Sequence, residues 1–224
     1  MVKKLIFITI CDIKPGRDES VYSKMLHYFL RSSGVVTPLV MGRLFERADV
    51  IFLLHSDDME SLNDYLIKNV RSIKDVQELV VVPIYEFKLL SSFDFMVETD
   101  EQSVEAAPPE SEELLFFMAK IDVAPARDRT VYNDILSLEP TDEAVPLMTG
   151  HTFHSKEFDM VIFFLAKSLE SAWEFVKRLR IIDGVWDTEM SLIAHFEGLV
   201  ALERFKELVA VPSARSSHRR RRGE

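Results

Sequence analysis

The sequence predicts an α+β protein made of two ferredoxin-like βαββαβ modules, packed sheet to sheet as an intrachain dimeric αβ barrel. Three observations carry this expectation. The chain repeats itself, each repeat alternates strand-like and helix-like patterning in the same order, and the third strand of each repeat is apolar at consecutive positions.

Taking the repeat first guards against misassigning the whole fold. Residues 7–26 read FITICDIKPGRDESVYSKML and residues 117–136 read FMAKIDVAPARDRTVYNDIL, agreeing at 8 of 20 positions at a constant offset of 110. Farther on, Pro38-Leu39-x-x-Gly42-x-x-Phe45 matches Pro146-Leu147-x-x-Gly150-x-x-Phe153 at an offset of 108. Asp49 and Asp159 return to 110, while Val76 with Val185 and Phe87 with Phe196 follow at 109. Such changes of length belong in loops.

Within the first module, residues 5–13 are rich in β-branched and aromatic side chains and stop at Lys14-Pro15-Gly16, a strand followed by a turn. Residues 17–32 place Val21, Tyr22, Met25, Leu26 and Phe29 on one helical face. Asp12 and Asp18, with their equivalents Asp122 and Asp128, flank the turn, where side-chain oxygens are expected to cap free backbone N–H groups. Residues 35–41 and 48–55 read as strands joined by residues 42–47. Residues 57–73 repeat the helical spacing through Leu62, Tyr65, Leu66 and Val70, and residues 79–89 form a last strand.

Val50 to Leu54 and Met160 to Ala166 have no polar face, which means burial on both sides. In a sheet of order 4-1-3-2 the two helices cover one face only. The other face of each sheet must therefore be covered by the other copy. The expected organisation is a first module over 1–90, an acidic linker over 91–113, a second module over 114–197, an amphipathic C-terminal helix over 198–211 docking on the body, and a basic disordered tail over 212–224. A short strand at Phe93-Asp94-Phe95-Met96-Val97 is expected to add an edge to one sheet.

The 224 residues are 47% hydrophobic and 29% charged, with a formal net charge of −10. That acidity makes the body a poor match for a phosphate backbone, and five arginines between Arg215 and Arg222 are the only basic cluster. No apolar run reaches the length of a spanning helix, and no leader pattern precedes the first strand, so a cytoplasmic protein with no membrane partner is expected. The single cysteine, Cys11, lies in an apolar strand and reads as a small hydrophobe.

The segments Val35-Val36-Thr37-Pro38-Leu39-Val40-Met41-Gly42, Asp49-Val50-Ile51-Phe52 and Lys74-Asp75-Val76 have counterparts in Leu147-Met148-Thr149-Gly150, Asp159-Met160-Val161-Ile162 and Asp183-Gly184-Val185. This pattern resembles the effector-binding (RAM) domain of the Lrp/AsnC family of transcriptional regulators, here in tandem duplicate and without the helix-turn-helix domain. The resemblance implies a site for an amino acid or similar metabolite at the hairpin between the second and third strands. Carried onto this chain, the ligand-binding candidates are Gly42, Asp49, Gly150 and Asp159, with Arg43 and His151 beside the glycines. The function this implies is a stand-alone regulatory module that binds a small effector, associates with a helix-turn-helix regulator or with itself, and does not bind DNA directly.

Chemistry finds less support in the residues. There is no Gly-rich phosphate loop, no nucleophile motif and no CxxC pair, so no catalytic residue, cofactor or metal is assigned. His151 and His154 with Glu157 and Asp159 would suit a metal if their loop curled, but read more simply as exposed polar loop residues. His195 stands near the end of the last strand, opposite Glu86 of the first copy. The competing reading is an enzyme or haem-binding protein of the dimeric αβ-barrel type, using the inter-sheet cavity with His195 or the His151 loop. A third is a structural pseudo-dimer, its interior filled by Phe52, Phe163 and Phe164.

Overall fold

The computed structural model describes residues 5–31, 34–45, 49–90, 114–152 and 155–209. The first module contains β1 (Leu5–Ile13), α1 (Asp18–Leu30), β2 (Val36–Leu44), β3 (Val50–Ser56), α2 (Met59–Leu66) and β4 (Val76–Leu89), with α2 running on as a π-helical turn over Ile67–Arg71. The second contains β5 (Leu115–Val123), α3 (Asp128–Leu136), β6 (Ala144–Thr152), β7 (Met160–Ala166), α4 (Leu169–Arg180) and β8 (Val185–Gly198), and is followed by α5 (Leu202–Val209). The expected strand at residues 93–97, the linker and the basic tail lie outside the described residues.

Each module is a βαββαβ unit with the strand order β4-β1-β3-β2 or β8-β5-β7-β6, as expected. The two sheets face each other and join along both edges, β2 to β8 and β4 to β6, so that eight antiparallel strands close into one barrel. Closure leaves no free sheet edge in the body.

Alternation along each strand divides the apolar residues into three layers. Ile6, Ile8, Ile51, Leu53, Met118, Val161 and Phe163 point into the barrel. Their neighbours Phe7, Cys11, Val50, Phe52 and Leu54 point out beneath α1 and α2, and Phe117, Ile121, Ile162 and Phe164 beneath α3 and α4. Every residue of β3 and β7 is buried, the two-sided burial that their sequences called for. Of the three phenylalanines expected to fill the interior, only Phe163 does so. Phe52 and Phe164 are out of phase with the interior rows and pack under the helices, against Phe29 at 5.0 Å and Phe175 at 4.3 Å between ring centroids.

The helix starts divide unexpectedly. α2 and α4 are capped by Asp58 and Ser168, whose side chains accept from the backbone N–H of Ser61 and Ser171. α1 and α3 begin at Arg17 and Arg127 with no side-chain cap. The repeated aspartates at 18 and 128 are therefore not caps, and their partners lie on the second strand of their own module, Arg43 on β2 and His151 on β6.

Because all neighbouring strands are antiparallel, β1, β2, β5 and β6 finish at the same end of the barrel at which β3, β4, β7 and β8 begin. At the opposite end β8 leads into α5, whose Phe205, Leu208 and Val209 are buried in the interior cluster. That end is plugged with apolar side chains. No helix among the described residues is long and apolar enough to cross a membrane.

Candidate functional site: an acidic cavity at the open end of the barrel

The unplugged end holds a cavity of about 420 Å³, within the size range of small-molecule sites. Its wall is made by the ends of the interior rows: Ile10 and Asp12 of β1, Glu78 and Val80 of β4, Lys120 of β5, and Glu189 and Ser191 of β8, with Asp49 and Glu157 at the entries to β3 and β7. Charge enters here because the strands have run past the apolar core while their alternation still aims every second residue inward.

The duplication makes the polar wall conspicuous. Applying the repeat offsets, Ile10, Val80 and Val82 of the first module correspond to Lys120, Glu189 and Ser191 of the second. One half keeps three aliphatic side chains where the other has an ion pair and a hydroxyl. Lys120 Nζ lies 3.3 Å from Glu189, with the lysine side chain 15% exposed. Ser191 is 6% exposed, and its hydroxyl has no hydrogen-bond partner among the described residues. Above this step the pairs Asp12 with Glu78 and Asp122 with Asp187 face each other across β1–β4 and β5–β8.

The field at this end is negative. Burial, and then the Asp49 and Asp12 carboxylates, push the Cys11 thiol up to about 12, so the buried cysteine is a packing residue rather than a thiolate. Partial burial and the carboxylates of Asp159, Asp187 and Glu189 raise Asp122 above the usual carboxyl range, outweighing Lys120.

The residues singled out on the hairpins do not converge on one site. Gly42 and Gly150 occupy opposite seams of the barrel. A Cβ on Gly42 would stand 2.4 Å from Ile193 Cγ2, and one on Gly150 would stand 2.8 Å from Ile84 Cγ2. These isoleucines are themselves equivalent in the repeat, so each glycine makes room for the isoleucine of the other module where the barrel closes. Arg43 is ion-paired with Asp18 and with Glu19, the latter at 2.8 Å. Asp159 ties the start of β7 to β5, accepting the Val123 N–H at 2.8 Å. Only Asp49 among the six lines the cavity.

His151 is not an exposed loop residue. It lies on β6, 7% exposed, with its ring 5.7 Å from that of Tyr132. Its Nδ1 is 2.5 Å from the Tyr85 hydroxyl, and its Nε2 is 3.7 Å from Asp128. The equivalent of this seam on the first module has Arg43 with Asp18, which explains why both aspartates recur. His154 lies outside the described residues, and no group suited to a metal ion is found among those described. His195 is exposed in a left-handed conformation, φ 50°, where β8 bulges against β2.

Burial holds His151 below the ordinary histidine value of 6.5, with Asp128 and Glu86 opposing it. A base that is harder to protonate folded than unfolded contributes stability above that ordinary value, and the contribution is lost as pH falls. The melting temperature of the native protein is therefore expected to fall more between pH 7 and pH 5 than that of His151→Gln. Parallel slopes for the two proteins would place the acid sensitivity elsewhere.

Sequence reasoning missed Lys120, Glu189 and Ser191. The signal was present in the repeat alignment, as polar residues in one copy facing aliphatic ones in the other, but it reads as a site only once both strands are known to face inward.

No family model matches the chain, and no curated protein matches it. Solved structures do match in fold. An anthrone oxidase-like protein aligns with a TM-score of 0.54 at 7% identity, covering 89% of this chain and 94% of that one. A candidate monooxygenase from Fusobacterium nucleatum subsp. nucleatum aligns at 0.53 and 9% identity, covering 88% and 95%. Chlorite dismutase from Candidatus Nitrospira defluvii, in complex with imidazole, aligns at 0.52 and 10% identity, covering 93% and 96%. The chain is thus similar in fold to barrels of the monooxygenase and chlorite dismutase kind. These structures bear the names of a monooxygenase, an anthrone oxidase-like protein and a chlorite dismutase, not of regulators, and the expected assignment as a stand-alone regulatory effector module is overturned.

Proposed function

We propose that the chain is a haem-free enzyme of the dimeric αβ-barrel type, which oxidises a small substrate with dioxygen in the cavity at the open end of the barrel. The observation that carries this reading is the polar step of Lys120, Glu189 and Ser191, which stands in the cavity wall where the first module has Ile10, Val80 and Val82. Holding the Lys120 ammonium, with its side chain 15% exposed, and the buried Ser191 hydroxyl in this wall costs folding free energy that the aliphatic side chains of the first module do not. Residues kept at that cost, in a cavity of ligand size, are the signature of a functional site.

Haem is the cofactor suggested by the fold, and the residues present do not fit it. Haem iron takes an axial His, Cys, Met or Tyr, and among the described residues none of these lines the cavity. His151 is engaged on the outer face of the barrel and His195 is exposed on a bulge. His55, on the interior row of β3, is buried at the plugged end with its Nε2 4.0 Å from Asp57. The carboxylates of the cavity would also repel the haem propionates.

In the proposed reaction the substrate occupies the cavity and its proton passes to a carboxylate at the mouth. Asp122 is the group for this role, because it stands on β5 two residues beyond Lys120, opposite Asp187, and partial burial with the carboxylates of Asp159, Asp187 and Glu189 raises it from the ordinary carboxyl value. Lys120, on the same strand, is held by Glu189 at 3.3 Å, and the net charge of the wall stays negative. The expected result is oxygen uptake in an electrode with one or more members of a panel of small phenols and amines, abolished by Ser191→Phe, which fills the cavity, and reduced by Asp122→Asn. Added haemin is expected to produce no Soret band shift. Absence of uptake across the panel, or uptake indifferent to Ser191→Phe, would remove the proposal.

A further inference from the structure

The cavity carries information about what it recognises, and this inference rests on the site assigned above. We infer that its substrate is a small organic cation, an amine that also carries a hydroxyl or carbonyl group, with the ammonium held at the mouth and the polar group at Ser191.

Two independent observations lead there. The first is the charge balance of the wall: among the described residues that line it, Asp12, Asp49, Glu78, Glu157 and Glu189 outnumber one lysine, Lys120, which pairs with Glu189. The carboxylates of Asp122 and Asp187 add to the same rim on the second module. A group entering this field gains if it is positive and loses if it is negative, and partly enclosed walls strengthen the effect.

The second observation is Ser191. Its side chain is buried to more than nine-tenths, lines the cavity and has no hydrogen-bond partner among the described residues. Buried hydroxyls are ordinarily paired, and one left open toward a cavity is a free donor and acceptor for whatever fills it. Val82 stands at the equivalent place in the first module and offers nothing of the kind. A ligand that satisfies both features is bipolar, cationic at the rim and hydrogen-bonding at depth. An organic cation carries both features in one molecule, a positive group for the carboxylates and a hydrogen-bonding group for Ser191.

An isosteric series separates charge from shape: tyramine, 4-hydroxyphenethyl alcohol and 4-hydroxyphenylacetate share a phenol and differ at the other end, which is cationic, neutral or anionic. Calorimetric titration of the full chain at low ionic strength is expected to rank them in that order, with tyramine at least about tenfold tighter than the alcohol. The double variant Asp12→Asn with Glu78→Gln is expected to weaken tyramine about tenfold and leave the alcohol unchanged. Ser191→Ala is expected to weaken both severalfold, and Ser191→Phe to exclude both.

Equal or tighter binding of the alcohol or the acid, abolished by Ser191→Phe, would overturn the cationic assignment while leaving the cavity as the site. Binding of tyramine that Ser191→Phe does not touch would overturn the site and the assignment together, as would no binding of any member. Folding of each variant is read from its melting curve, and Asp12→Asn with Glu78→Gln is expected to melt no lower than the native protein, since it relieves repulsion between like charges.

Discussion

Phe205→Ala is expected to destabilise the protein by about 3 kcal/mol, the lower part of the range for removing a buried aromatic ring. For a chain of this size that corresponds to a fall in melting temperature of roughly 6–12 °C. Phe205 is 4% exposed and belongs, with Leu208 and Val209, to the cluster that fills the barrel interior. Its removal leaves a void under α5 that the closed strands cannot collapse to fill, because their spacing is set by the hydrogen-bonded ladder. Arg204→Ala on the same helix removes only the exposed pair with Glu207 and is expected to change stability by less than about 0.5 kcal/mol. Calorimetric melting of the two variants decides the matter. Equal losses would mean that α5 does not plug the barrel, whereas the predicted difference also carries a functional corollary. The cavity lies at the other end, so ligand binding by folded Phe205→Ala should be unchanged.

Gly42→Ala is expected to cost about 2–3 kcal/mol, the upper part of the range for overpacking. The added methyl would lie 2.4 Å from Ile193 Cγ2, a branch fixed on its own Cβ and unable to swing aside. Relief must come from the seam between β2 and β8, which is one of the two lines along which the modules are joined. The second substitution Ile193→Ala should restore part of the loss, so that the double variant is at least about 1 kcal/mol more stable than the sum of the single changes predicts. Denaturant titration of the four proteins measures that coupling. Strict additivity would show that Gly42 is not a packing glycine and would return it to the list of ligand-binding residues.

How far the sequence could be read differs between fold and site. The repeat, the order of elements and the two-sided burial of β3 and β7 are all expressed in nearest-neighbour patterns, alternation and helical spacing, which survive without knowledge of the tertiary structure. The phase of a strand does not. Phe52, Phe163 and Phe164 look alike in sequence, yet one position of offset sends Phe163 inward and the other two outward. Asp18 and Asp128 look like caps because they stand at helix starts, yet their partners, Arg43 and His151, come from strands more than twenty residues away. Gly42 and Gly150 look like hairpin or ligand glycines until the isoleucines across the seams are placed beside them.

The candidate site was hidden for a related reason. Asp49 was found because it sits at a strand entry that the repeat marks, but Lys120, Glu189 and Ser191 are spread over two strands and join Asp12 and Glu78 only when the barrel closes. The cost of setting the Lys120 ammonium and the Ser191 hydroxyl there exists only once the wall has formed.

Duplication, module order and the need of each sheet for a covering layer were determined by the sequence alone, since burial on both faces of a central strand requires a layer on each side. Which end of the barrel is plugged, which rows point inward, and that the second module alone contributes an ion pair and a free hydroxyl to the cavity were decided by the tertiary structure. The physical reason is that alternation tells how residues divide between two faces, whereas closure of the barrel decides which face is the interior.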